Sequence, residues 1–321
     1  MGAGSIGGYF GGMLARGGND VTLVARGAHL NAIRRHGLRV ATDHQQFLLP
    51  CPAQVQATDD PARVGSVDLV LLTVKAYHNA TAIPAMRPLV GAGTAVLVLQ
   101  NGVDSYQAVA QALGSQKVLP GAAYIEASLP QPGVVRQTGS VVRIVFGEVE
   151  AVPWAGGIPA NPRADNRDSC RGRRIQQTLE GSGIPALFTT DIYQSLWSKF
   201  LFIATLAGVT SLSRQPLAEL LPRPEWRRVV VACLREIEAV GRASGVGLDS
   251  QIVEQTLTYM EGSLEQMYAS MHADLMAGRP LELEALNGAV VRAGARTGVP
   301  TPINDLIYAM LKPYAGGKPA E

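Results

Sequence analysis

Residues 2–8 read Gly-Ala-Gly-Ser-Ile-Gly-Gly, which sets glycines at Gly2-x-Gly4-x-x-Gly7. In a loop entering a helix, that spacing can hold a pyrophosphate. The first glycine allows a tight turn, the second lets the backbone approach the anion, and the third lets helix and strand pack closely. The N–H groups of the first helical turn, at Ser5, Ile6 and Gly7, then face the phosphates. A second chemical position closes the next apolar run, Val21-Thr-Leu-Val24-Ala25-Arg26. A carboxylate there would hold the ribose 2′-hydroxyl of NAD. Arg26 suits a 2′-phosphate instead, so the charge pattern favours NADP over the alternative of a solvated loop arginine.

The elements that must carry this loop follow in order. Ser5 to Ala15 reads as a helix, Gly17-Gly18-Asn19 as its stop, and Val21–Val24 as a short buried strand. The loop normally hangs from a preceding strand of about five or six residues. Only Met1 precedes Gly2. The expectation is therefore a doubly wound sheet lacking its first strand, as a start assigned too late would leave it.

Further along, Val67–Val74 and Thr94–Leu99 are continuous apolar runs, as in strands buried on both faces, with a helical segment between them reaching about Val90. Asp104 can cap a helix to about Leu113. Further strands are expected near Val118–Tyr124, Gly133–Gln137 and Val142–Gly147. This alternation implies an α/β, doubly wound, Rossmann-like domain. Residues 150 to 168, rich in proline and glycine, read as a mobile loop. Beyond about 190 only helical periods remain: Pro224–Ser244, Ser250 to about Ala277, and Leu283–Arg296, closed by Gly245, Gly278 and Gly298. The expected division is 1–188 and 189–321, with ligand in the cleft between domains.

The composition excludes several classes. With 321 residues, 47% hydrophobic and 17% charged, the chain can build two globular domains. A net charge of +2 without a dense basic run argues against nucleic acid; the short Arg171-Gly-Arg-Arg174 cluster reads as a solvated loop. Cys51, Cys170 and Cys233 show neither metal nor disulfide spacing, which fits a reducing cytoplasm. No signal peptide is visible. The most apolar stretch, Phe200–Leu212, is shorter than a membrane span and reads as a buried helix. A homodimer through exposed apolar helix faces is a further expectation.

Taken together, these pieces resemble the ketopantoate reductase (2-dehydropantoate 2-reductase) family over nearly the whole chain. The motifs are the glycine loop, Val74-Lys75-Ala76, Gln100-Asn101-Gly102, Leu196-Trp197-Ser198-Lys199-Phe200, Ser270-Met271-x-x-Asp274-Leu275, Glu282-x-x-x-x-Asn287-Gly288 and Gly298-Val-Pro-Thr-Pro302. The resemblance implies a helical C-terminal domain like that of 6-phosphogluconate dehydrogenase. It also implies NADPH-dependent reduction of a 2-oxo acid, 2-dehydropantoate to pantoate in pantothenate biosynthesis. Lys199 matches the lysine that acts as acid or electrostatic stabiliser, and its apolar neighbours can lower its pKa. Glu282 matches the glutamate that bonds the reacting oxygen or its neighbour. Ser270 matches the serine that binds the substrate carboxylate. Asn101 matches an asparagine at the nicotinamide end, and Lys75 a lysine near the phosphates and substrate. Asn287 and Asp274 read as packing or supporting residues. Without the resemblance, these residues have ordinary readings: a snorkelling lysine, a first-turn glutamate, a surface serine and a turn asparagine.

The pattern departs from the family at Ile203 and Ala207, which follow Lys199 at i+4 and i+8 along one helix face. The family has asparagines at both positions, binding polar groups of the substrate. An apolar floor there favours a less hydroxylated 2-oxo acid. A nucleotide-binding protein without turnover is the remaining alternative.

Overall fold

The computed structural model describes residues 1–149, 170–262 and 267–318; the loop expected over 150 to 168 lies outside them. Among the described residues, 1–100, 106–149 and 170–192 form one compact unit. Residues 101–105 join the helices beyond 192 to form a second.

In the first unit, helix α1 (Ser5–Arg16) leads to strand β1 (Thr22–Val24), and α2 (Gly27–His36) leads to β2 (Leu38–Ala41) and β3 (Gln46–Leu49). Then come β4 (Gln56–Thr58), β5 (Leu69–Leu72), α3 (Asn79–Met86), β6 (Ala95–Val98) and α4 (Ser105–Leu113). β7 (Val118–Gln131), β8 (Val134–Phe146), α5 (Cys170–Gly181) and β9 (Ala186–Phe188) complete it. The larger sheet runs β3-β2-β8-β7-β6-β5, with β9 beside β8, and β1 pairs with β4 in a separate parallel pair. The apolar runs at 67–74 and 94–99 form parallel neighbours, with Leu71 beside Leu97.

The two strands expected near Gly133–Gln137 and Val142–Gly147 are one. β8 runs unbroken, antiparallel to β7, with Ile144 facing Ala123 and Thr138 facing Glu126. Its middle is largely exposed, and the register with β7 shifts there, between the Tyr124–Arg143 and Glu126–Thr138 pairs. The hairpin β2–β3 and strands β4 and β9 escaped sequence reading because they are three or four residues long.

Met1 lies between β5 and β1. Its amine donates to Leu71 O at 2.7 Å, and its carbonyl accepts from Thr73 N at 3.0 Å. Gly2 N and Ala3 N both donate to Val24 O, at 3.2 and 2.9 Å. These bonds thread the glycine loop between two strands that do not pair with each other. Helix α1 packs onto the sheet through small residues: a Cβ on Gly8 would meet Val135 Cγ2 at 2.7 Å, and one on Gly12 would meet Val40 Cγ2 at 2.8 Å. Phe10, Ile33, Leu38, Leu119, Ile144 and Phe146 form the centre of this core. Each such side chain contributes roughly 1.5–3 kcal/mol by leaving water.

The second unit is helical: α6 (Ile192–Ser213), α7 (Leu217–Leu220), α8 (Pro224–Ala243), α9 (Ile252–Gly262), α10 (Ser270–Met276), α11 (Asn287–Thr297) and α12 (Pro302–Leu311). The apolar stretch at 200–212 belongs to a longer helix than expected. α6 has 22 residues, enough to cross a bilayer by length, but about two-thirds of its apolar window is buried within the protein. The helical region expected over 250–277 is broken. Residues 267–269 are not helical, and the Met267 carbonyl is taken by Leu217 N at 3.2 Å. The helix expected from Leu283 starts at Asn287, after a turn in which Ala285 N and Leu286 N both donate to Glu282 O at 3.1 Å. Gly298 closes it in the left-handed region.

Candidate active site

In the first unit, the three glycines of the loop differ in what demands them. Gly2 has φ +93°, and a Cβ there would lie 2.7 Å from Val74 N. A Cβ on Gly7 would collide with Thr73 Oγ1 and Gly2 O. Gly4 has φ −76°, and a Cβ there would meet nothing within 4 Å. Protein packing therefore requires Gly2 and Gly7 but not Gly4. A glycine at that position suits a ligand that approaches the backbone.

Gly4 precedes α1 without a side-chain cap, and the first turn carries no acidic residue. The amide donors of Ser5, Ile6 and Gly7 thus begin a helix whose dipole favours an anion. Thr73, which sequence reading passed over, bonds through Oγ1 to Gly2 O at 2.8 Å. Its signal was a hydroxyl set in an otherwise apolar run.

Arg26 is exposed, immediately before α2. Burial lowers the pKa of His78, and the charge of Arg26 lowers it further. His78 N donates to Lys75 O at 2.9 Å, so Lys75, His78 and Arg26 gather in one region of this unit. Gln100 is buried and donates to Val74 O at 2.8 Å and Asn79 Oδ1 at 2.7 Å, tying the ends of two strands together. These residues fit a phosphate-bearing dinucleotide: backbone donors at the loop, with Arg26 near enough to His78 for its charge to be felt there.

In the second unit, Asn101, Lys199 and Glu282 come together from distant parts of the chain. Lys199 Nζ donates to Asn101 Oδ1 at 3.2 Å, and Asn101 Nδ2 donates to Glu282 Oε2 at 3.4 Å. Lys199 projects from α6, flanked by buried Leu196, Trp197 and Phe200. Burial pushes its ammonium from 10.5 down to about 8, against the opposing pull of the Glu282 carboxylate. Glu282 is itself buried. It lies five residues before α11, so the reading as a first-turn carboxylate does not apply. Gly102 has φ +102°, and a Cβ there would sit 2.7 Å from Ala285 O. That glycine lets the Asn101 segment press against the turn carrying Glu282.

Ser270 is the exposed first residue of α10 and takes no part in the Lys199–Asn101–Glu282 chain. Asp274 pairs with Arg279 Nε at 2.8 Å. Asn287 donates to Ala204 O at 3.3 Å and Asn304 Oδ1 at 3.0 Å, joining α11 to α6 and α12. On α6, Ile203 is half-buried and Ala207 is buried. Thr205 and Thr210 do not replace the missing amides. Thr205 donates to Cys233 Sγ at 3.5 Å, and Thr210 to Leu206 O at 2.7 Å. Among the described residues no cluster of three or more His, Cys, Asp or Glu could hold a metal ion.

A half-buried lysine of lowered pKa, linked through an amide to a buried carboxylate, can deliver a proton to a developing oxyanion and orient the group that receives it. Comparison with known proteins points to the same kind of chemistry. Residues 1–151 match the family model for ketopantoate reductase PanE/ApbA, and residues 191–315 match its C-terminal counterpart. A 2-dehydropantoate 2-reductase of Mesorhizobium japonicum is 29% identical, over 98% of this chain and 96% of its own. An uncharacterised oxidoreductase of Bacillus subtilis is 28% identical, over 99% and 98%. The crystal structure of a 2-dehydropantoate 2-reductase from Geobacter metallireducens superposes with a TM-score of 0.86 at 29% identity, covering 97% of each chain. With both halves matched in order, the chain belongs to the ketopantoate reductase family of oxidoreductases acting on a CH–OH group.

Proposed function

We propose that this chain reduces a 2-oxo acid to the 2-hydroxy acid with NADPH, and that 2-dehydropantoate, giving pantoate, is its first candidate substrate. The observation that carries this reading is the chain of polar contacts from Lys199 through Asn101 to Glu282. When bound, the reduced dinucleotide supplies the hydride that forms the new C–H bond at the carbonyl carbon. The carbonyl π pair moves onto oxygen, and Lys199 Nζ gives that oxygen its proton. Lys199 is left neutral and regains a proton from water. Its lowered pKa makes the transfer easier than from an ordinary lysine. Asn101 accepts from the ammonium and donates to Glu282. Glu282 can then accept a hydrogen bond from a substrate hydroxyl. Ser270 is proposed to bind the substrate carboxylate, and Lys75 and Arg26 to bind phosphates of the cofactor.

The assay is NADPH oxidation with 2-dehydropantoate, followed by identification of the product. No oxidation with any 2-oxo acid would leave the non-catalytic nucleotide-binding alternative. A second reading keeps the reaction and changes the substrate. Ile203 and Ala207 present carbon where a hydroxylated substrate needs donors, and the nearby threonine hydroxyls bond within the helical unit. A panel of branched and aromatic 2-oxo acids separates the two. A clear preference for 2-dehydropantoate supports the first.

A further inference from the structure

His29 stands at the third position of α2, three residues after Arg26, and has no part in the chemistry described above. Its Nδ1 accepts the backbone N–H of Gly133 at 2.9 Å. Gly133 sits in the turn between β7 and β8, and its carbonyl accepts from Arg39 N at 2.9 Å. An Nδ1 that accepts carries no proton, so the neutral ring bears its proton on Nε2. Nε2 is enclosed, with no hydrogen bond of normal geometry among the described residues. Burial holds its pKa below the ordinary histidine value.

The imidazole therefore fixes the β7–β8 turn through Nδ1. Two residues beyond Gly133, Val135 is fully buried and packs where Gly8 leaves room on α1. The hairpin is thus tied to the loop's helix by packing. We propose that His29 is a positioning residue for the dinucleotide loop, its Nδ1 fixing the β7–β8 turn, whose neighbour Val135 packs against α1 and so holds the loop in its cofactor-binding shape. This inference rests on the reading of that loop as the dinucleotide site.

The test compares His29→Ala, His29→Asn and His29→Gln in the full chain. It measures the NADPH dissociation constant, kcat at saturating cofactor, and thermal stability. Removing the imidazole leaves the Gly133 N–H without its acceptor and the loop without its brace. The expected result for His29→Ala is roughly five- to twenty-fold weaker NADPH binding with kcat nearly unchanged. Asn places an oxygen near the position of Nδ1, so His29→Asn should recover affinity to within about twofold, whereas Gln cannot. If the alanine variant does not fold, the Asn and Gln variants still decide, with Asn expected to bind more tightly. Equal affinity in wild type and His29→Ala, or Asn binding no better than Gln, overturns the positioning role alone. A wild-type protein that binds neither NADPH nor NADH overturns the cofactor reading as well.

Discussion

Asn101 Oδ1 accepts a hydrogen bond from Lys199 Nζ at 3.2 Å, across 98 residues of chain. The same amide turns its NH2 toward Glu282. Its orientation is set by charge, with the carbonyl facing a cation and the NH2 facing a carboxylate. Asn101 thus joins the proposed proton donor to the proposed substrate-orienting group.

Replacing Lys199 with alanine should lower kcat by about 10²- to 10⁴-fold, the usual contribution of a positioned acid. The NADPH dissociation constant should stay within about twofold, since Lys199 is proposed to act on the substrate oxygen rather than to hold the dinucleotide. Stopped-flow turnover and a fluorescence titration check the two halves. Unchanged turnover would remove Lys199 from the mechanism.

The pH dependence follows from the depressed pKa. Reduction needs protonated Lys199, so its rate should fall as pH rises through about 8, while oxidation of the hydroxy acid should gain over the same range. The stability effect has the opposite slope. In the unfolded chain the lysine titrates near 10.5, so between about 8 and 10.5 the unfolded state binds more protons and stability rises with pH. A Lys199→Met variant should lose both effects, seen in pH–rate profiles and in denaturant titrations across that window.

Gly4 and Gly7 should separate binding from folding. Gly7→Ala drives a methyl into Thr73 and the Gly2 carbonyl, and should cost about 1–3 kcal/mol of stability. Gly4→Ala meets no protein atom and should leave stability within about 1 kcal/mol. The same variant should weaken NADPH by about tenfold or more, the scale of one lost charge-assisted contact. Chemical denaturation and calorimetric titration would show the contrast. Equal cofactor affinity in Gly4→Ala and wild type would deny the loop its proposed ligand.

Arg26→Ala tests the choice of cofactor. If Arg26 pairs with a 2′-phosphate, NADPH binding should weaken by roughly 10- to 100-fold and NADH binding should hardly change. Matched titrations of both cofactors read this out. Tighter NADH than NADPH binding by the wild-type protein would reverse the preference.

Ile203→Asn tests the substrate. Restoring an amide four residues from Lys199 should raise kcat/KM for 2-dehydropantoate by roughly tenfold relative to branched 2-oxo acids, because a buried donor discriminates strongly for a hydroxyl. An unchanged ratio would mean that the floor of α6 does not set specificity.

The glycine loop leading into α1, the buried strand Leu69–Leu72 and the long helices of the second half were legible because their signals are local. Glycine spacing, apolar runs and helical periods depend on residues within a few positions of one another. The same locality explains the two strands read where β8 is one. Its exposed middle, with Gly139 and a shift in register against β7, looks like a break, and pairing with β7 on either side of it joins the two halves into one strand. α6 was underestimated for a related reason, since the polar positions of its first turns hide a helix that packing continues back to Ile192.

The residue types for phosphate binding and proton transfer were present in the chain order, but their meeting was not. Asn101, Lys199 and Glu282 are brought together by long-range packing: a glycine at 102 that admits Ala285, and a turn at 282–286 that delays α11. Only that packing buries Lys199 enough to lower its pKa and sets the Asn101 amide against both it and Glu282. Nor could spacing reveal that Gly4 has open space where Gly2 and Gly7 are pressed by neighbours, because a cavity belongs to atoms far apart in the chain. Propensity and periodicity are properties of neighbours in sequence; desolvation and steric fit are properties of neighbours in space.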